Sequence, residues 1–419
     1  MHRRNFLKTS AAASLTPLFA SAALSQTQPA QVKSFPPEKI KALRDRITPI
    51  TADERKRRIE RARELMAKEK MDALFFEGGT SLTYFTGIGW GHSERLFAMI
   101  LPKNGEPQYV APKFEEARAA EQVGSARLLT WEEDESPCAP VKQILKENNI
   151  LTGTLGIEET TRFFVTDRIA REIGTLKLVS GTPVTAGCRS VKSPHEIELM
   201  QIADDITAEV YKAAVGKLHE GMSERELGST VSKLFSEFGV GGGALVLFGE
   251  ASAYPHGLAR DYALHEGDIV LIDGGCSVEG YESDVTRTTV LGKATDKMHK
   301  VWEIVRNAQS AAVATARPGI PAEEVDAAAR KVIAEAGYGP GYRYFTHRLG
   351  HGIGLEGHEW YYLVRGSQRP LVAGNTFSDE PGIYITGEFG IRLEDELLVT
   401  ENGARLLLPQ AESLEKIFP

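Results

Sequence analysis

Cysteine is scarce, with three residues (Cys138, Cys188 and Cys276) in a chain of 419. They are too few and too scattered for a disulfide framework, and no pair has the Cys-x-x-Cys spacing of a zinc ribbon. Basic charge is not in excess either. A net charge of -8 and a pI near 5.8 argue against nucleic acid as the main partner. The weakly apolar run from Ala11 to Leu24 is too short and too rich in alanine and serine to span a bilayer, so no stable membrane anchor is expected. Gly241-Gly242-Gly243 is not followed by Gly-Lys-Ser/Thr, which removes a phosphate loop and leaves the run to be read as a turn. No internal repeat is visible.

What is present is ordinary globular composition, 42% hydrophobic and 25% charged, in a length that accommodates two domains with separate cores. The opening residues read as an address. Arg3-Arg4-Asn5-Phe6-Leu7-Lys8 is a twin-arginine sequence ahead of the small-residue run. It predicts a signal peptide over 1–25, cleaved after Ala22 or near Ser25, on a bacterial protein exported folded to the periplasm. Residues 26–50 read as a proline-containing linker or arm.

Residues 51–185 alternate helical and strand patterns. Ile59, Ala62, Leu65 and Met66 recur at helical spacing, a strand follows at 73–76, and Leu96 to Val110 reads as a hairpin turning at Asn104-Gly105. Helices near 140–148 and 166–173 then alternate with strands near 155–158 and 177–179, which indicates an α/β domain. It contains no catalytic cluster, and its glycine-rich aromatic stretch from Tyr84 to His92 reads as a surface loop. Ser193-Pro194-His195-Glu196 is a capping box that opens a second domain over 190–419, with further helices at 223–238, 296–316 and 322–336.

The second domain carries the chemistry. Asp273 ends the apolar run Ile269-Val270-Leu271-Ile272, after which Gly274-Gly275 is read as a turn leading back to a strand with Asp284. Two antiparallel strands joined this way can place both carboxylates on one face. His351, Glu380 and Glu394 complete a set of four carboxylates and one imidazole, a donor set suited to manganese, cobalt, iron or zinc. Taken singly, each is an ordinary turn or solvated residue. Five together, each beside glycine or on an apolar strand, are harder to dismiss, and four carboxylates with one imidazole suffice to bridge two ions, but their spacing alone does not decide it. The glycines at 350, 352 and 354 make a helical His347/His351 pair of the HExxH kind a poor reading. Arg392 lies two residues before Glu394, so on a strand the two side chains share a face. It is positioned to pair with Asp284 or to bind a substrate carboxylate.

The wording around these residues resembles the pita-bread metallopeptidases. Leu271-Ile-Asp-Gly-Gly, Ser283-Asp-Val-Thr-Arg-Thr, His347-Arg-Leu-Gly-His-Gly-Ile-Gly, Ser378-Asp-Glu-Pro-Gly-Ile-Tyr and Gly390-Ile-Arg-Leu-Glu-Asp occur in that family's order from about Ser193 onward. They are most similar to the Xaa-Pro aminopeptidase and prolidase branch. The resemblance implies an α/β (α+β) protein: a creatinase/prolidase-type α/β domain followed by a pita-bread catalytic domain, assembled as a homodimer. It implies two divalent metal ions, manganese first, held by Asp273, Asp284, His351, Glu380 and Glu394. Asp284 and Glu394 would bridge the ions, and Glu380 would also shuttle protons. His256 and His358 would be catalytic histidines that bind no metal. His347, Arg392 and Tyr384 would contact substrate, although Tyr384 reads equally well as plain core.

The activity expected is removal of the N-terminal residue from short peptides with proline second, by attack of a metal-bridging hydroxide. Export as holoenzyme would suit such a protein. Two alternatives are an Xaa-Pro dipeptidase, in which Arg365 or Arg392 would grip the free carboxylate, and a creatinase-like hydrolase of a small non-peptide amide. A non-enzymatic relative is disfavoured by the complete ligand set. The aromatic run Trp360-Tyr361-Tyr362 after His358 departs from the proline-containing wording of bacterial prolidases, and is expected at the rim of the cleft.

Overall fold

The computed structural model describes residues 34–419. The signal peptide read over 1–25 and the first part of the linker lie outside the described residues. The remainder of that linker is not loose. Pro37–Arg44 is helical, Phe35, Ile40 and Ile50 are buried in the catalytic core, and the Phe35 ring packs 4.6 Å from Phe238.

The first half is built on a six-stranded mixed sheet. Its order is Arg127–Trp131, Gln108–Pro112, Ala98–Pro102, Ala73–Glu77, Thr154–Ile157, Lys177–Ser180. The central strand Ala73–Glu77 is buried along its whole length, which is why it reads as an unbroken apolar run. Ala52–Glu69 opens with a capping box between Thr51 and Glu54 and buries Ile59, Ala62 and Met66 against the sheet. The expected hairpin is present, with Ala98 opposite Val110, but its connection spans 103–107 rather than two residues. The Tyr84–His92 stretch begins inside a short helix, Thr80–Thr86, rather than in a loop.

The second half folds as two similar layers of sheet and helix. One sheet orders Val285–Val290, Ile269–Val278 and Gly241–Phe248, and is covered by Pro194–Val215 and Glu224–Glu237. The other orders Glu359–Leu363, Gly350–Gly352, Thr376–Asp379, Asp395–Thr400 and Gly403–Leu406, with Asp296–Thr315 and Ala322–Ile333 packed against it. A bridge between Thr286 and Glu394 stitches the two sheets together where their strands end.

Two glycine readings are corrected here. Gly241-Gly242-Gly243 is no turn but the start of the strand Gly241–Phe248. A Cβ on Gly242 would stand 2.6 Å from the Phe235 ring, so the missing side chain lets the covering helix approach the sheet. Gly274-Gly275 likewise does not turn the chain. The strand Ile269–Val278 runs through both, and the reversal falls at Glu279-Gly280. Gly274 adopts φ +143° and packs a would-be Cβ 2.6 Å from the Gly243 carbonyl oxygen, a position open only to glycine.

The halves are fastened by buried charge. Arg58 donates to the Tyr281 hydroxyl at 2.7 Å and lies 3.2 Å from Glu196. Arg189 and Lys192, at the end of the first half, reach Glu359 at 2.6 and 2.7 Å.

Candidate metal centre and substrate cavity

Asp273 stands opposite Thr286 across the paired strands, and the bridge from Thr286 to Glu394 brings the second sheet to the same point. Asp284 immediately precedes the strand Val285–Val290, and its backbone N–H donates to Glu396 at 3.1 Å. His351 is the middle residue of Gly350–Gly352, and Glu380 follows the strand Thr376–Asp379. Five strands from two sheets thus deliver the five side chains to the floor of one cavity of about 430 Å³. His256, His347, His358 and Arg392 also line it.

The distances define three overlapping groups. Ligand atoms of Asp273, Asp284 and Glu394 lie within 4.8 Å of one another, as do those of His351, Glu380 and Glu394 and those of Asp284, His351 and His358. Glu394, 2% exposed, belongs to the first two. The Thr286 hydroxyl is 2.7 Å from Asp273 and 2.6 Å from Glu394, although it has one proton to give.

The protein's own charges do not balance this cluster. Among the described residues, Arg392 is the one lysine or arginine paired with any of the four carboxylates, and it serves Asp273 at 2.6 Å. Burial works against ionised Asp273, but the Arg392 charge and hydrogen bonds outweigh it and hold that carboxyl low. Asp284 and Glu394 lack such a partner. Burial first, then neighbouring carboxylates, pushes both well above the ordinary range. Burial also takes Glu380 up to about 8, against the pull of Arg392. His351 adds a lone pair to the same space. Its Nδ1 donates to the Gly352 carbonyl at 3.1 Å, which aims Nε2 at Glu380 (3.3 Å) and Asp284 (3.8 Å). Burial, followed by the neighbouring His358, lowers its pKa to about 3 and keeps the ring neutral. Acceptors facing acceptors in a closed site, with oxygen donors dominating, are the fit expected for hard or borderline divalent cations.

Around this floor the other anticipated residues divide. His358 stacks on His351 with ring centroids 3.8 Å apart, and His256 stands exposed on the wall. His347 reaches the cavity, but both its nitrogens are engaged, Nδ1 with the Arg348 carbonyl (2.8 Å) and Nε2 with the Tyr384 hydroxyl (2.7 Å). Tyr384 does not line the cavity. It is buried behind it, and its hydroxyl also accepts from Arg392 at 2.8 Å. Arg392 pairs with Asp273 rather than Asp284. Its further bonds to Thr286, Pro255 and Tyr384 leave one of its five N–H groups, which makes it a brace for Asp273 and a poor grip for substrate. Arg365 lies 5.8 Å from the Tyr342 ring and does not line the cavity.

The aromatic that does line the cavity is Tyr342, 42% exposed, rather than the run Trp360-Tyr361-Tyr362. Tyr361 lies beneath Arg369 and Tyr362 beneath Arg348 instead. Sequence reasoning passed over Thr286 and Arg348 as well. Both sit inside the quoted motifs and were given no role.

Similar proteins agree with this architecture. The family described as Metallopeptidase family M24 matches residues 198–401, and the Creatinase/Prolidase N-terminal domain matches 58–191. A protein named Xaa-Pro dipeptidase from Pyrococcus furiosus is 34% identical over 358 residues, 84% of this chain and 97% of that protein. The crystal structure of dipeptidase PepE from Mycobacterium ulcerans superposes with a TM-score of 0.81 at 32% identity, covering 89% of this chain and all of that one (100%). A dipeptidase structure from Pyrococcus horikoshii gives 0.77 at 33% identity, covering 86% and 99%.

Proposed function

Because this chain belongs to metallopeptidase family M24, a family of hydrolases that use divalent metal ions, we propose that it is an Xaa-Pro dipeptidase that releases proline from dipeptides. The observation that carries the reading is the shared position of Glu394 between two ligand groups on the floor of the cavity. Asp273 and Asp284 would hold one divalent ion and His351 with Glu380 the other, Glu394 serving both, with manganese the first choice. Bound there, the ions would supply Lewis acidity and lower the pKa of water.

The chain's own residues do the rest. Arg392 and Thr286 fix Asp273, and Ser378 steadies Glu380 at 3.1 Å. Glu380 takes a proton from the attacking water and returns it to the leaving prolyl nitrogen. His358 and His256 face the space above and donate hydrogen bonds to the scissile carbonyl as negative charge develops on it. A volume near 430 Å³ suits a small peptide.

This reading replaces the expected aminopeptidase by its alternative. Relatives spanning nearly their whole length are named dipeptidases, and they support cleavage of two-residue substrates. The test is a matched panel with manganese-loaded protein: Xaa-Pro, Xaa-Pro-Yaa and Xaa-Ala, each with and without chelator. Xaa-Pro should be cleaved at least roughly tenfold faster than the others, the scale of one specific subsite contact, and chelator should abolish it. Faster cleavage of tripeptides would restore the aminopeptidase. Metal bound with no peptide cleaved would point to a non-peptide amide.

Periplasmic export is part of the same proposal and is supported by Arg3-Arg4 and the following residues. Replacing both arginines by lysine should trap precursor in the cytoplasm, and undiminished export would exclude the twin-arginine route.

A further inference from the structure

The cavity is polar on nearly every side and has little carbon surface to offer a substrate. We propose that Tyr342 receives the pyrrolidine ring of the substrate and so sets the preference for proline over other residues; this rests on the dipeptidase reading of the same site.

Apart from carboxylates, arginines, histidines and Thr346, the cavity is lined by Pro255 and Tyr342. Tyr342 is the larger of the two, and it stands exposed. Its position does not depend on its own polar atom, since among the described residues its hydroxyl makes no hydrogen bond. The ring is held instead by Arg330. The guanidinium carbon of Arg330 lies 4.2 Å from the Tyr342 centroid and 4.3 Å from that of buried Phe345. Four of the five N–H groups of Arg330 are committed. Nε donates to Asp326 at 2.8 Å, and the others donate to the carbonyls of Gly341 (3.2 Å), Phe345 (3.0 Å) and His347. Buried Asp326 also accepts from the Leu349 N–H at 3.0 Å. One ion pair on the helix Ala322–Ile333 therefore ties down the segment from Gly341 to Leu349, and Tyr342 is a wall set before substrate arrives.

A pyrrolidine ring is the chemistry that fits. Across Xaa-Pro substrates it is the apolar group that stays constant, and both it and the wall are rigid, so their contact costs little ordering. Aromatic surfaces are the usual partners of proline rings. The side chain of Xaa varies in size and polarity and calls for no such fixed partner. Alanine in place of proline would leave the Tyr342 surface in water.

Hydrolysis of Leu-Pro, Gly-Pro and Leu-Ala by manganese-loaded protein, with calorimetric binding of L-proline and L-alanine, tests the assignment. Tyr342→Ala should lower kcat/KM for Leu-Pro and Gly-Pro alike by about tenfold, the scale of one apolar pocket contact, and change Leu-Ala far less. L-Proline should lose a similar factor in affinity relative to L-alanine. Tyr342→Phe should retain the wild-type preference in both experiments, because the hydroxyl has no part in it. A proline preference that persists in Tyr342→Ala, equal loss on Leu-Pro and Leu-Ala, or no proline preference in the wild type overturns the proposal. A loss on Leu-Pro that spares Gly-Pro would give the ring to the N-terminal residue and overturn it as well. Preferential binding of L-proline, lost in Tyr342→Ala, without cleavage of any dipeptide would instead overturn the dipeptidase reading and leave Tyr342 its pyrrolidine ring.

Discussion

Glu394→Gln is expected to lower peptide hydrolysis by roughly 10³-fold or more, above the usual effect of one lost catalytic hydrogen bond. Metal content should fall with it, from about two ions per chain to less than one. The argument is one of charge and position. Glu394 joins the Asp273/Asp284 group to the His351/Glu380 group, and it is nearly inaccessible to solvent. The substitution keeps its volume and removes its charge. The metal-free protein should respond in the opposite sense, with a higher denaturation midpoint, because a neutral amide carries none of the cost that burial and the neighbouring carboxylates impose on ionised Glu394. Holo and apo stabilities moving in opposite directions cannot be mistaken for misfolding. The control is His358→Ala, which should retain metal and lose about 10²-fold in rate. Its ring also lies within reach of Asp284 and His351. If that variant arrives without metal, as measured by elemental analysis, His358 belongs to the ligand set and the division of labour is wrong.

The floor of this site was legible because its residues come with local wording. The spacing of the five alone left the reading open, and it was the motifs around them, similar to those of the pita-bread metallopeptidases, that singled them out. The helices of the second half were equally visible, since a capping box at Ser193 and a serine cap at Ser223 mark their starts in the sequence itself. The bracing was not. Whether Arg392 faces Asp273 or Asp284 is decided by strand register between segments more than a hundred residues apart, which no local pattern encodes. The glycines failed for a related reason. Gly242 and Gly274 are demanded by close approach of a helix and a neighbouring strand, and from sequence alone such glycines are indistinguishable from turn glycines. The aromatics after His358 were expected at the rim, but the rings of Tyr361 and Tyr362 lie beneath arginines, and the cavity takes its aromatic wall from Tyr342, which carries no motif.

Glu359→Gln should be the most destabilising single change outside the metal floor, by about 3–5 kcal/mol, the usual cost of leaving buried charge uncompensated. Glu359 is 3% exposed and accepts from Arg189, Lys192 and the Leu355 N–H at 2.6, 2.7 and 3.0 Å. Arg189 keeps a second partner in Glu356 at 2.9 Å, whereas Lys192 has none among the described residues. The variant therefore strands a buried ammonium. Burial opposes ionisation of Glu359, but the charges of Lys192 and Arg189 outweigh it and hold the carboxyl below its ordinary value of 4.5. A depressed folded-state pKa contributes stability above the unfolded value and loses it as pH falls through the folded one. The difference between wild type and variant should accordingly be full at neutral pH and shrink below about pH 4.5. Adding Lys192→Met to Glu359→Gln should recover part of the loss, since the stranded ammonium is then gone. Denaturant unfolding of the four proteins in this cycle gives the coupling directly, and a value below about 0.5 kcal/mol would mean that the pair is not what joins the halves. Activity should follow stability here for a structural reason: Glu359 immediately follows His358 and pairs with Gly352, next to His351, so the fastening between the halves is also the anchor of the catalytic wall.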